Sequence, residues 1–157
     1  MKPSIKIKKI LCPVDFSAYS KHAVEYAIAF AKQYDAEIKL IHAVESPSTA
    51  FGYADLEIPE PELVDEFREQ AEKQLIELTE ALQERQTRVS QLLVFGKPFT
   101  EIIEEAANWP ADMIILGTHG RSGLEHLLIG SVAEKIVRKA NCPVLTVRHP
   151  EHEFVHP

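Results

Sequence analysis

Met113-Ile114-Ile115-Leu116 runs directly into Gly117-Thr118-His119-Gly120-Arg121-Ser122-Gly123-Leu124-Glu125-His126-Leu127-Leu128-Ile129-Gly130-Ser131, and the reading of this stretch decides the fold. The first four residues form an apolar run of β type. Beyond Ser131, Val132, Ile136, Val137 and Ala140 recur at helical spacing, so the stretch is a strand-to-helix crossing. Such crossings usually take about two to six residues, and this one is far longer. Its glycines and hydroxyls suit wrapping an anion: Gly117, Gly120, Gly123 and Gly130 let backbone N–H groups approach without a Cβ in the way, and Ser131 opens a helix whose unpaired donors face the ligand.

Working outward, the same alternation recurs along the chain. Upstream, Ile7 to Val14 reads as a buried strand, and Ser17 as the N-cap of a helix carrying Ala23, Ala27, Phe30, Ala31 and Tyr34 on one stripe. Glu37 to Val44 is a second strand. Between Glu45 and Pro61 the periodicity fails, and Pro47, Gly52, Pro59 and Pro61 mark a long loop or lid. Glu62 to Gln86 is an acidic amphipathic helix with Val64, Phe67, Ala71, Leu75, Leu78 and Leu82 on its apolar stripe, read as core. Val89 to Phe95 gives a third strand stopped at Gly96, Pro98 opens a helix closed by Trp109-Pro110, Ser131 to Asn141 is the last helix, and Pro143 to Val147 the last strand. Residues 148–157 show no pattern.

Five strands separated by helices predict an α/β fold, a mainly parallel sheet covered on both faces, in a single domain spanning 1–157. In such sheets ligands sit beyond the carboxyl ends of the strands, where the strand order reverses. Asp15 and Gly117 both stand at such ends. If the first and fourth strands are neighbours, both face one crevice.

Composition narrows the function. With 24 acidic against 17 basic residues and a formal charge of -7, the chain is a poor partner for nucleic acid, whose affinity rests on Lys and Arg. No stretch approaches the roughly 18 apolar residues of a membrane span, and the opening lacks the apolar core of a signal peptide, so a cytoplasmic protein without membrane or nucleic-acid partners is expected. Cys12 and Cys142 fall at opposite edges of a parallel sheet, which disfavours a disulfide, and no zinc spacing occurs. His149, His152 and His156 lie in the unpatterned tail and make no metal motif. His22 and His42 are isolated on a helix and a strand, where bonding within the structure is expected.

Gly117, Gly120, Gly130 and Ser131 fit G-x-x-G-x9-G-[ST], and with I-L-C-P-V-D-F-S, I-H-A-V, T-H-G-R-S-G-L, G-S-V-A-E-K-I-V and C-P-V-L-T-V-R in this order the chain resembles the universal stress protein family over nearly its whole length. The resemblance implies a Rossmann-like, doubly wound five-stranded parallel sheet in the order 3-2-1-4-5. It also implies that members with the complete glycine motif bind ATP. Carried over to this sequence, it puts Pro13, Val14 and Asp15 at the nucleoside end and Ala43 in the adenine pocket. Leu116 and Gly117 end the strand, and Gly117, Gly120, Gly130, Ser131 and Val132 hold ribose and phosphates. Ala133 departs from the pattern, since many ATP-binding members have a hydroxyl there. The resemblance further implies a homodimer through antiparallel pairing of Pro143 to Val147.

The roles are physically reasonable. Asp15 would repel a triphosphate, so it belongs against an adenine amino group or a ribose hydroxyl, or else near a helix N-terminus. Arg121 is the fixed cation of the loop and could reach terminal phosphates, or be a solvated surface arginine. His119 could donate to ribose or phosphate, or be a turn histidine bonded to backbone. Mg²⁺ could accompany the phosphates, with Ser131 the nearest protein oxygen. Neither G-x-x-x-x-G-K-[ST] nor G-x-G-x-x-G is present and the loop has no lysine, which favours a nucleotide-binding regulatory module over an enzyme. A slow ATPase or phosphotransferase using Arg121, His119 and Glu125, and a dimeric interaction protein with incidental nucleotide, are the alternatives.

Overall fold

The computed structural model describes residues 5–45, 61–121 and 129–150. Within them run β1 (Lys9–Pro13), α1 (Ala18–Tyr34), β2 (Glu37–Val44), α2 (Pro61–Glu84), β3 (Val89–Phe95), α3 (Pro98–Asn108), β4 (Met113–Gly117), α4 (Ser131–Lys139) and β5 (Val144–Val147). The strands form one sheet in the order β3-β2-β1-β4-β5, and every pairing is parallel. The expected loop over residues 46–60, the glycine-loop residues 122–128 with Glu125, and the tail beyond Pro150 with His152 and His156 lie outside the described residues.

Both faces of the sheet are covered, which is why its strands read as almost continuous apolar runs rather than alternating ones. The side chains still alternate between the faces. Ile10, Cys12, Ile38, Leu40 and Ile115 pack with Ala23, Val24 and Ala27 of α1 and Leu75 and Leu82 of α2. Leu11, Ile41, Ile114 and Leu116 pack on the other side with Ile102 of α3 and Ala133 and Ile136 of α4. Cys12 therefore belongs to one layer and Cys142 to the other, and both thiols are free. Burial pushes the Cys12 thiol up to about 12, which makes it inert.

Element ends differ from the periodicity by one or two residues, each for a local reason. The last helix stops at Lys139, short of Asn141, because Ala140 is already extended while its N–H closes the final turn on Ile136 O at 2.9 Å. The long helix stops at Glu84, and Gln86 takes a left-handed φ of 58° to turn the chain into β3. Pro143 lies outside β5, although its carbonyl accepts from Ile114 N at 3.0 Å. Ser17 caps α1 as expected, its side chain accepting from Ser20 N.

The topology places the crevice. From β1 the chain crosses through α1 to β2 on one side, and from β3 it crosses through α3 to β4 on the other side of β1. The segments leaving β1 and β4 thus turn to opposite faces and open a gap between them. Ladder chemistry widens that gap. β1 pairs with β2 over five positions but with β4 only at Ile10 and Leu11. Val14 N donates to Ile41 O on the β2 side, so the alternation of the strand puts position 13 on the β4 side. Pro13 has no N–H to offer there.

Candidate functional site

A cavity of ≈ 750 Å³ occupies this gap at the carboxyl ends of β1, β2 and β4. Its wall contains Pro13, Val14 and Asp15 from the end of β1, Ala43 from β2, Leu116 and Gly117 from β4, His119, Gly120 and Arg121 from the following loop, and Gly130, Ser131 and Val132 at the start of α4, while Gly123 and Glu125 lie outside the described residues. Ala133 also lines it, buried against the α3/α4 layer, which explains how an apolar residue serves at that position.

Three helix N-termini reach this crevice: α3 begins at Pro98, in its wall, with no side-chain cap, and those of α1 and α4 are finished differently. That of α1 is satisfied from within, Ser20 N donating to Ser17 Oγ at 3.2 Å and Ser17 N to Asp15 Oδ1 at 3.0 Å. That of α4 begins on Gly130, which has no side chain with which to cap it. The first N–H groups of a helix lack intrahelical partners, and here they open on the cavity beside the exposed Ser131 hydroxyl. Gly130 is itself held by its N–H, which donates to Thr118 O at 2.6 Å and draws the end of the glycine loop back onto its beginning.

Asp15 is engaged at the N-terminus of α1, and a ligand contact is compatible with that placement. Both carboxylate oxygens accept backbone N–H groups, Oδ1 from Ser17 and Oδ2 from Arg121 at 2.9 Å, so Asp15 organises the turn into α1 and ties it to the glycine loop. Arg121 reinforces the tie, its Nε donating to the Asp15 carbonyl at 2.6 Å and its guanidinium lying 5.8 Å from the Phe16 ring centre. The loop cation is thus docked on the β1–α1 turn. A Cβ at Gly120 would stand 2.7 Å from Asp15 Oδ2, so this tie requires glycine there. Gly117 is required by packing: an added Cβ would lie 2.9 Å from both the carbonyl carbon and Cβ of Tyr19 in α1.

His119 is buried, with Nδ1 3.0 Å from Thr118 Oγ1 and its ring centre 5.2 Å from that of Tyr19. His22 packs its ring edgewise on Tyr26 and against His149. Among the described residues no three His, Cys, Asp or Glu side chains gather as metal ligands would, and no helix is long and apolar enough to cross a membrane.

Sequence reasoning missed part of the wall. His42, Phe67, Gln70, Ala71 and Gln74 line the same cavity. Phe67 and Ala71 had been read as core stripe, yet Phe67 remains 45% exposed. The available signal was the polar pair Gln70 and Gln74, three and seven residues beyond Phe67 and on its face of the helix. His42 was expected to bond within the structure, and its Nδ1 lies 2.7 Å from Val14 O. Its ring packs 4.6 Å from that of Phe16, a side-chain-bearing residue in the left-handed region at φ 65°. That conformation costs about 1 kcal/mol or more and marks a turn fixed by its surroundings. Burial holds the His42 pKa below the ordinary histidine value and Arg121 pushes the same way, against the Val14 carbonyl and Asp15.

The fold and crevice define an α/β protein with a ligand cavity at the switch point of a doubly wound parallel sheet. The universal stress protein family model matches residues 6–148. Universal stress protein MJ0531 of Methanocaldococcus jannaschii is 36% identical over 151 residues, covering 93% of this chain and 85% of that protein. MJ0577 of the same organism is 32% identical over 157 residues, covering 92% and 97%. The solved structure of MJ0577 superposes with a TM-score of 0.82 over 94% of this chain and 99% of that one, at 31% identity. The universal stress protein of Archaeoglobus fulgidus, solved in complex with dAMP, shares the fold at a TM-score of 0.63 and 18% identity, over 91% of this chain and 98% of that one. This chain belongs to the universal stress protein family.

Proposed function

We propose that the chain is an ATP-binding regulatory module of the stress response, which holds the nucleotide in the switch-point cavity without turning it over. The observation that carries this reading is the N-terminus of α4. It opens, uncapped by its own Gly130, into a cavity large enough for a nucleotide, and a helix N-terminus with free donors favours a phosphate. Ser131 supplies a hydroxyl to the same point, Val132 a second N–H, Ala43 an apolar wall for the base, and any Mg²⁺ would be carried chiefly by phosphate oxygens. The dAMP complex of the Archaeoglobus fulgidus protein is consistent with an adenine nucleotide here.

The binding role is favoured over hydrolysis by the state of the charged groups. Arg121 is engaged with Asp15 through Nε, and both Asp15 oxygens accept backbone N–H groups. A water-activating base and a clamp on developing phosphoryl charge are what fast hydrolysis needs, and these two residues are already used to shape the crevice. We also infer that two copies pair through β5, which is a short strand at the edge of the sheet; edge strands invite pairing. The nucleotide reading is tested by mass spectrometry of small molecules released from protein purified without denaturation. Adenine nucleotide at near one per chain is expected. Its absence, together with no binding of added ATP at millimolar concentration, would refute the reading.

A further inference from the structure

We propose that the free edge of β3 is a docking strand for an extended, basic segment of a partner protein, which adds to the sheet as a further strand. β3 and β5 are the two edges of the sheet. β5 is only four residues long, whereas β3 runs for seven, Val89–Phe95, without a charge, a proline or a break in its register with β2. Proteins blunt their edges with short strands, charges, prolines or bulges, and β3 has none of these. It lies on the far side of the sheet from β5, so it stays open in the paired form inferred above.

The backbone groups that this edge offers follow from its pairing. Ile38 N donates to Arg88 O and Gly96 N to Val44 O, so the even-numbered positions of β3 turn their N–H and C=O toward β2. Those of Val89, Gln91, Leu93 and Phe95 point away from the sheet, and no described strand lies beyond them. An added strand satisfies them in a ladder of main-chain bonds that supplies affinity, and the side chains on either side of the ladder supply the selection.

Selection is by charge. α2 covers one face of β3, with Arg68 over the Phe95 ring at 5.0 Å and Thr79 Oγ1 donating to Gln91 Oε1. Arg85 pairs with Glu25 of α1 and so marks the flank of α2 turned to the neighbouring helix. At helical spacing Glu72, Ile76 and Glu80 form a ridge on the opposite flank, above the open edge. Glu72 and Glu80 enter no ion pair among the described residues, and Ile76 is 38% and Phe95 50% exposed. At the end of the strand the Glu101 carboxylate of α3 occupies the space where a Cβ on Gly96 would stand. Two cations near the strand are already paired, Arg88 with Asp35 and Arg68 with Asp65. Residues 64–84 and 98–108 together hold ten acidic and two basic side chains, a net of -8 against -7 for the whole chain. Two copies of such an edge repel each other, since like charges facing across a strand pair are destabilising. The occupant that fits is a segment carrying Lys or Arg, with an apolar residue to cover Ile76 and Phe95.

The experiment titrates the ¹⁵N-labelled intact chain with a capped heptapeptide that alternates lysine with valine and threonine, and with its glutamate-for-lysine counterpart. The lysine peptide should slow hydrogen exchange at the Val89, Gln91, Leu93 and Phe95 amides. At low salt it should bind at least about tenfold more tightly than the glutamate peptide, and the gap should close in high salt. Gln91→Pro removes one outward donor and leaves the β2 ladder whole, because the Gln91 N–H takes no part in it; it should weaken the lysine peptide by about threefold to tenfold. Ile76→Lys, an exposed change that leaves the strand untouched, should weaken it by about threefold or more. Equal affinity for the two peptides, unchanged exchange at the four amides, or a lysine peptide that binds both variants as tightly as the wild-type chain would each overturn the proposal. So would protection of the four amides that rises with the concentration of the chain alone, since a second copy would then be the occupant.

Discussion

Ser131→Glu separates binding from folding, because the substitution should move the two in opposite directions. Ser131 is the first residue of α4 and its side chain is exposed, so a glutamate fits without displacing core. A carboxylate in the first turn of a helix is stabilising by about 0.3–1 kcal/mol. The ligand-free protein should therefore unfold at the same temperature or up to a few degrees higher, at about 2–4 °C per kcal/mol for a chain of this size. The same carboxylate would stand where a phosphate docks. Two unit charges about 4 Å apart repel by about 1 kcal/mol in bulk water and about 4 kcal/mol at the effective dielectric near a protein surface. Affinity for ATP should accordingly fall by between about fivefold and about a thousandfold, and the loss should shrink in high salt. Calorimetric titration at two ionic strengths reads the first quantity, and thermal unfolding without nucleotide the second. Undiminished ATP affinity in a variant of normal stability would mean that phosphates do not sit at the start of α4.

Two other outcomes follow from the packing and titration of the crevice. Gly117→Ala would press a methyl group against Tyr19 backbone at 2.9 Å, where no flexible side chain can yield; overpacking of this kind costs about 1–3 kcal/mol, to be read by urea unfolding, and a neutral result would show that α1 can shift away from β4. His42 has a pKa depressed mainly by burial, so below the unfolded value of about 6.5 the unfolded chain binds the proton that the folded chain refuses. Its contribution to stability is present above that pH, falls as the pH drops, and levels off once the folded pKa is passed. Arg121 and Asp15 are the charged groups that act on it. Unfolding free energies at pH 7.5, 6.5 and 5.5 for the wild-type chain and His42→Asn should therefore converge on acidification, and a constant difference would count against the depressed pKa.

Much of the fold was legible in the sequence because its signals are local. Apolar runs bounded by Pro13, Gly96 and Pro143 marked strands, the three-and-four spacing of Val64 to Leu82 marked a helix covering a sheet, and Ser17 announced an N-cap that the structure contains. The order of the strands was reached through family resemblance rather than periodicity, since nothing in a strand's own residues says which neighbour it takes. Helix ends were misjudged at Asn141 and Gln86, where backbone turning decides the matter and side-chain pattern is silent.

For the site, the sequence by itself located the glycines and the hydroxyl that opens the last helix, because these residues are recognised by their own chemistry and spacing. It could not show what Asp15 and Arg121 touch, because their partners lie across the crevice. Tertiary structure decided that they grip each other's backbone, a contact between positions 106 residues apart. It likewise brought α2 to the end of β2, turning Gln70 and Gln74 from surface positions into cavity wall. The proton of His42 belongs to the same category. A histidine's tautomer is set by whichever acceptor the fold lays beside it, and that acceptor, Val14 O, lies just beyond the end of β1.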